Sequence, residues 1–347
     1  MDLLGLFRLD QSRQEYQDYF KQKQQNKKPQ YHMPIKVGDP TSFDTYYGQN
    51  KLKLRLKLRL NAMQRGESLK ALFQASSGQG KTALTRVLAM EMLERKLIDF
   101  YYEVIASQFD NKKELDRFIK SVLPNSLVFI DEIHNLAGGV RDALYPAIQD
   151  NMYGFYNSNT LTPLPEGISW VGATTEKIHP ALQRRLVPMS LEPMGCKDLA
   201  MVAMSQPVSP TLEAAEQMAK RSWTPWEVKD EIYVVSRDIA ISRGQMELIE
   251  TQDVLQAFEI LEIDEHSLRP KERDILKVLF MSPKTIKGEI RFTLARTPLV
   301  ALAGVDGPTY DSSIEPKLMR LGFLRVSSGV GRELTERALE EYFHKEK

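Results

Sequence analysis

Cysteine is almost absent from this chain. One residue, Cys196, among 347 excludes an internal disulfide and a cysteine-based zinc cluster, and it suits a reducing compartment. Histidine is scarce as well: five scattered residues make no metal-ligand spacing. Net charge is close to nil, with 47 Lys/Arg against 46 Asp/Glu, so any hold on a polyanion must come from a local patch. No apolar run approaches the length that spans a bilayer, and Met1–Phe7 carries no basic leader. A cytoplasmic protein without a membrane partner is expected. What remains is 42% hydrophobic and 27% charged, a globular composition long enough for two or three domains.

The most informative segment present is Ala75-Ser76-Ser77-Gly78-Gln79-Gly80-Lys81-Thr82. It follows the apolar run Leu69–Phe73 and opens the helical pattern Ala83–Leu93, the strand–loop–helix context of a phosphate-binding loop. Glycines let successive N–H groups turn inward around a phosphate, a lysine adds a point charge, and the Thr82 hydroxyl suits Mg²⁺. The usual motif begins with glycine; Ala75 stands there instead. About fifty residues on, Leu127–Ile130 runs into Asp131 and Glu132. A continuous apolar run reads as a strand buried on both faces, and ligands of open α/β sheets sit at its C-terminal end. Asp131 there can hold Mg²⁺, and Glu132 can polarise an attacking water.

Strands are expected at Ala71–Gln74, Tyr101–Ala106, Leu127–Ile130, Ser169–Ala173 and Met189–Leu191, with helices such as Lys112–Val122 and Val140–Gln149 between them. That alternation predicts an α/β fold with an open, mostly parallel sheet. Lys51–Leu60 alternates Lys or Arg with Leu, as a strand would, but its residue types favour helix, with Leu52, Leu56 and Leu60 on one face. Its cations are either a nucleic-acid stripe or, preferably, snorkelling side chains of a packed helix. Residues 152–167, with Tyr153, Phe155 and Tyr156, read as a protruding hairpin. From 196 to about 265 the pattern is helical: Asp198–Met204, Pro210–Arg221, Val228–Arg243 and Thr251–Leu261. Beyond Leu268, helices are expected at Lys271–Phe280, Lys284–Leu294 and Asp311–Leu321, then a strand at Gly322–Val326, a turn over Ser327–Gly331 and a returning strand at Arg332–Leu334. Helices followed by a small hairpin suggest a winged helix.

Several segments together carry a family resemblance: Ser42–Gln49, the phosphate loop, Asp131–His134, Ala143–Ala147, Gly172–Thr175 and Gly322–Leu324. Over about Ser42 to Phe343 the chain resembles the RuvB family, Holliday-junction branch-migration motors of the AAA+ ATPases. The resemblance implies an N-terminal extension (1–38), a P-loop ATPase domain (39–194), an all-α lid (195–266) and a winged-helix DNA-binding domain (267–347). It implies ATP and Mg²⁺ as cofactors, held by Ser77, Gly78, Gln79, Gly80, Lys81, Thr82, Tyr47 and Pro225, with Thr82 and Asp131 on the metal. It implies Glu132, Thr175 and Arg185 as catalytic residues, Thr175 as a sensor of the γ-phosphate or attacking water and Arg185 as an arginine finger acting on a neighbouring subunit. Arg184 is the alternative finger.

Self-association into a ring, as a hexamer, follows from that finger, and duplex or branched DNA is the expected substrate of a bacterial or phage-encoded protein. Rival readings within the fold are a loader or DNA-remodelling switch governed by ATP binding, and a scaffold that has lost hydrolysis. The family's lid arginine is missing: Ser222-Trp223-Thr224-Pro225-Trp226-Glu227 places a carboxylate there, which would repel a γ-phosphate. Residues 269–347 hold 15 Lys/Arg and 11 Asp/Glu. Arg325 and Arg332 flank the hairpin turn and are the expected phosphate contacts, unless the hairpin is only a solvated surface. The hairpin 152–167 sits where the family docks RuvA, a junction-binding partner. Its aromatics are either an exposed interface or packed on their own domain. His134 is assigned no role.

Overall fold

The computed structural model describes residues 36–156, 160–245, 247–286, 288–327 and 331–343. Most of the N-terminal extension, and positions 328–330 of the turn expected at Ser327–Gly331, fall outside the described residues. The chain divides into two compact units. One comprises the chain up to Ala75 together with Gly80–Glu192; the other comprises Ser76–Gln79 and the chain from Pro193 onward.

The first unit is built on five parallel strands: β1 (Lys70–Gln74), β2 (Phe100–Ile105), β3 (Ser126–Asp131), β6 (Ser169–Thr174) and β7 (Val187–Ser190), in the order β2-β3-β6-β1-β7. The strands β4 (Met152–Tyr153) and β5 (Thr162–Pro163) form a separate antiparallel pair. The sheet strands fall within a residue or two of the expected spans. β3 is buried as far as Ile130 and β6 along its whole length, as expected of central parallel strands flanked by helices. Chain-sequential β1 and β2 are separated in the sheet by β6 and β3. Where the connection leaves β1 in this way, the strand ends open a crevice for ligands.

The Leu/basic alternation forms a helix, Asn50–Met63, that buries Leu52, Leu56, Leu60 and Met63. Its basic residues are largely structural: Lys53 Nζ donates to the carbonyls of Phe43 (3.1 Å) and Tyr46 (2.7 Å), and Arg59 pairs with Glu67. The β4–β5 pair confirms a hairpin, but not an aromatic surface. Tyr153 is fully buried with its hydroxyl on Asp116 (2.7 Å), and Phe155 packs edge-on against it. Only Tyr156 is exposed. Burial of the rings against Leu115 and Ile119 outweighs any display of them to solvent.

In the second unit, the helices Cys196–Met204, Leu212–Lys220, Tyr233–Ser242 and Thr251–Ile260 close around Ala214, Met218, Val228 and Phe258. A two-residue parallel bridge joins β8 (Ser209–Pro210) to β9 (Leu248–Ile249). The C-terminal part packs the helices Pro270–Phe280, Arg296–Leu302 and Glu315–Arg320 against an antiparallel sheet. The strands are β10 (Pro283–Ile286), β11 (Glu289–Leu294), β12 (Leu324–Ser327) and β13 (Gly331–Leu334), ordered β10-β11-β13-β12. The helix expected over Lys284–Leu294 is therefore a hairpin. Thr285, Ile286, Ile290 and Thr293 are β-branched, and Gly288 takes a positive φ of 87° in the turn, a combination that favours paired strands over helix.

Candidate active site

Three neighbouring strands of the first unit, β3, β6 and β1, deliver the candidate residues at their C-terminal ends. After β1, Gly80 takes φ 87° and starts the helix Lys81–Glu94 with no side-chain cap, so the first N–H groups of that helix are left to a ligand. Ala75 is not among the residues with positive φ; its methyl in place of the motif's glycine imposes no backbone strain. Lys81 is buried, with Nζ on the Ala75 carbonyl at 3.0 Å. Burial pushes its ammonium below the usual lysine range, while Glu132 and Asp131 act in the opposite sense.

Thr82 Oγ1 donates to Asp131 Oδ2 at 2.7 Å, so the two expected metal-binding groups stand side by side. A hydroxyl and a carboxylate are hard oxygen donors that suit Mg²⁺ bound together with phosphate oxygens and water. Among the described residues no group of three or more His, Cys, Asp or Glu could hold a metal alone. Glu132 has a left-handed backbone, φ 48°, and its N–H bonds Asp131 Oδ1 at 2.9 Å. That turn splays the two carboxylates: Asp131 faces Thr82, whereas Glu132 Oε2 accepts from Thr175 Oγ1 at 3.2 Å. His134, unassigned from sequence, joins the same oxygen, with Nδ1 at 3.2 Å.

An aromatic ring that the sequence did not single out packs on the phosphate loop. Tyr46, not Tyr47, donates its hydroxyl to the Gly80 carbonyl at 3.3 Å, and a Cβ on Gly80 would lie 2.8 Å from that hydroxyl. Tyr47 is half-buried. Arg185 stacks on Tyr145 (4.4 Å to the ring centroid) and donates to the Ala181 carbonyl at 2.6 Å, leaving its buried Nε without a partner. Arg184 is exposed.

The rest of the phosphate loop belongs to the second unit. Gly78 has φ 75°, and its carbonyl accepts from Trp226 N at 3.3 Å. A Cβ on Gly78 would stand 2.9 Å from Thr224 Oγ1, so glycine is required for the close approach as well as for the turn. Gln79 is buried, with Nε2 3.5 Å from the Trp223 carbonyl. Pro225 begins the helical turn that continues into Glu227–Ile232. Ser76, Ser77, Gly78, Thr224, Trp226 and Lys317 are among the residues lining a cavity of about 440 Å³ in this unit.

The expected repulsion by Glu227 has to be revised. Its carboxylate accepts from the N–H groups of Trp223 and Thr224, lies 3.0 Å from Arg269 Nη1 and 3.7 Å from Lys317 Nζ. Lys317 is itself buried on Glu272 at 2.9 Å. Two cations and two N–H donors thus compensate a charge that, read from sequence, faced a phosphate unopposed.

In the C-terminal sheet the two expected phosphate contacts part company. Arg325 stands opposite Glu333 in the β12–β13 pairing and Arg332 opposite Val326, so their side chains leave opposite faces. Arg332 shares its face with Leu294, Leu324 and Leu334 and makes a two-pronged pair with Glu315 (2.9 and 3.1 Å). Arg325 is half-exposed, and its fork meets the buried Glu333 (3.1 and 3.0 Å), whose carboxyl it holds below the usual range. Arg291 reaches the same carboxylate at 2.9 Å, and Lys284 pairs opposite Arg291. Lys284, Arg291 and Arg325 therefore share one face. The strand signal around Gly288 would have located the first two.

Residues 39–176 match the family described as Holliday junction DNA helicase RuvB P-loop domain. The Holliday junction branch migration complex subunit RuvB of Anaeromyxobacter sp. is 29% identical over 302 residues, covering 82% of this chain and 84% of that protein. Its counterpart in Prochlorococcus marinus is 26% identical over 317 residues, covering 87% and 86%. The solved structure of the Thermotoga maritima RuvB Holliday junction branch migration motor is similar with a TM-score of 0.73 at 27% identity, covering 88% of this chain and 98% of that one.

Proposed function

Because this chain belongs to the RuvB family of AAA+ ATPases as a distant homologue, we propose that it hydrolyses ATP to move branched DNA, working as a ring, a hexamer by family analogy. The single observation that carries the reading is the meeting of the Thr82–Asp131 and Thr175–Glu132 pairs at adjacent strand ends. The open helix N-terminus at Gly80 and the buried Lys81 would bind the β/γ-phosphates. Thr82 and Asp131 would hold Mg²⁺, which when bound neutralises phosphate charge. Glu132 would accept a proton from the attacking water while Thr175 keeps its carboxylate in place. Arg185 would reach the nucleotide of an adjoining subunit, where a guanidinium stabilises charge on the transferring phosphoryl group.

In the C-terminal segment, the winged-helix reading of 267–347 assigns the phosphate contacts to the face of Lys284, Arg291 and Arg325, with Arg332 as a structural ion pair. A RuvA-like partner at the hairpin 152–167 would have to engage residues other than the buried Tyr153 and Phe155.

The test is ATP-dependent strand displacement on a synthetic four-way junction, run beside phosphate release by wild type and Glu132→Gln. Turnover and displacement by wild type, both lost in the variant, support the motor. Equal phosphate release by the two proteins removes Glu132 from catalysis and favours a scaffold without hydrolysis. A second reading, a loader or switch in which ATP sets assembly, draws on Glu227 standing where the family keeps an arginine. ATP-dependent assembly on DNA without strand displacement would decide for it.

A further inference from the structure

Glu132 is held by more than Thr175, and the extra support comes from a residue that the proposed reaction does not use. Thr174, fully buried at the end of β6, closes a tight turn: its Oγ1 accepts from Glu176 N at 3.1 Å and donates to Glu176 O at 2.9 Å. A hydroxyl has one proton, and here it is engaged. His134 Nδ1 lies 3.1 Å from the same oxygen; with the hydroxyl proton on Glu176, an imidazole carrying its hydrogen on Nδ1 shares it between the acceptors on either side. The N–H at Nδ1 also faces Glu132 Oε2 at 3.2 Å. The side chain of His134 is about one-eighth exposed, with 12% of its surface accessible, which fixes the ring between the two oxygens.

We infer that His134 is a positioning residue: it donates from Nδ1 to Glu132 Oε2, in concert with Thr175, and so turns the other carboxylate oxygen toward the water to be activated. Thr175 Oγ1 donates to Oε2 and His134 Nδ1 stands 3.2 Å from the same oxygen, while Oε1 has no hydrogen bond to another described residue. A carboxylate anchored through one oxygen presents the second in a fixed direction, which is what proton abstraction from a bound water requires. The left-handed backbone of Glu132 makes the anchor necessary, because the strained turn by itself leaves the long side chain several rotamers. This inference rests on the hydrolytic reading of the site, in which Glu132 receives the proton.

The test compares wild type, His134→Ala and His134→Asn, whose amide nitrogen takes the place of Nδ1. Steady-state ATP hydrolysis gives kcat and KM, a fluorescent ATP analogue gives nucleotide affinity, and thermal denaturation monitors the fold. A crystal structure of each ligand-free protein gives the distance from the Glu132 carboxylate to the Thr175 hydroxyl. His134→Ala should lower kcat about tenfold, the scale of one hydrogen bond to a charged group, with KM, analogue affinity and Tm close to wild type. His134→Asn should recover most of that loss, and the Glu132–Thr175 contact should open in the alanine variant alone. Unchanged kcat in His134→Ala, or the contact retained in its crystal structure, would overturn the assignment. So would equal loss of kcat in both variants in step with a fall in Tm, since that is the pattern of a packing role. Absence of turnover by wild type would instead remove the hydrolytic reading, and the ligand-free structures alone would then decide whether His134 holds Glu132.

Discussion

Lys81 is a cation taken out of water by folding, and the beginning of its helix offers no side-chain cap. A buried ammonium whose ionisation is disfavoured by desolvation adds little to stability and is retained for what it binds. Lys81→Met should therefore reduce ATP turnover by about a hundredfold or more, the scale of losing a charge-stabilising donor, while Tm stays level or rises. Phosphate release and thermal denaturation on the same sample check both halves. Gly78 makes the complementary case. Its φ of 75°, and the 2.9 Å that would separate an added Cβ from Thr224 Oγ1, leave no room for a side chain. Gly78→Ala should cost about 1–2 kcal/mol from the left-handed backbone and weaken nucleotide-analogue binding, read by denaturant midpoint and fluorescence titration.

At the scale of an element, the C-terminal sheet separates residues that look equivalent in sequence. Arg325 and Arg332 flank one turn, yet the two-residue period of a strand sends them to opposite faces. Arg332→Ala strips the two-pronged partner from Glu315, which is largely buried. It should lower stability by about 1–3 kcal/mol and leave the salt dependence of DNA binding unaltered. Arg325→Ala combined with Lys284→Ala should weaken duplex binding and flatten its dependence on salt, since fewer counterions are released. Fluorescence anisotropy across a salt titration, with urea denaturation of the same proteins, separates the two outcomes. The same sheet carries an acid-sensitive contact. Glu333 is held below the usual carboxylate range, chiefly by Arg325. Its contribution to stability is full above the unfolded value of about 4.3 and is lost as pH falls through the lower folded value. Between about pH 5 and the strongly acidic range, Tm should decline less steeply in Glu333→Gln than in wild type, as followed by circular dichroism.

At the scale of the whole molecule, the proposed action of Arg185 on a neighbour's nucleotide would make each site the property of two subunits. Mixing inactive Arg185→Ala with inactive Glu132→Gln should restore ATPase activity, because some interfaces then pair an intact Glu132 with an intact Arg185. In randomly mixed rings about a quarter of the interfaces qualify, as expected for head-to-tail assembly. No recovery at any mixing ratio would place the whole site within one subunit. Among the described residues, no helix is long and apolar enough to cross a membrane.

The parallel sheet, the phosphate loop and the paired acids were legible before any fold was known, because each is written in consecutive residues. The apolar run Leu127–Ile130 suits only a central strand, Gly78 and Gly80 mark the sharp turns, and Asp131-Glu132 must end the strand they follow. The helix at Asn50–Met63 was legible for the same reason, through its residue types. Whatever depends on partners distant in the chain emerged only on folding. Tyr46 meets Gly80, thirty-four residues away. The charge of Glu227 is answered by Arg269 and Lys317, and His134 reaches Thr174 across forty positions. The hairpin around Gly288 lies between these cases: its β-branched residues were in view, but pairing with β13 was needed to outweigh the helix-compatible lysines and leucine of Lys284–Leu294. Local pattern fixes backbone shape through short-range sterics and burial, whereas the ionic and hydrogen-bonding state of a side chain belongs to whichever neighbours the fold brings within about 3 Å.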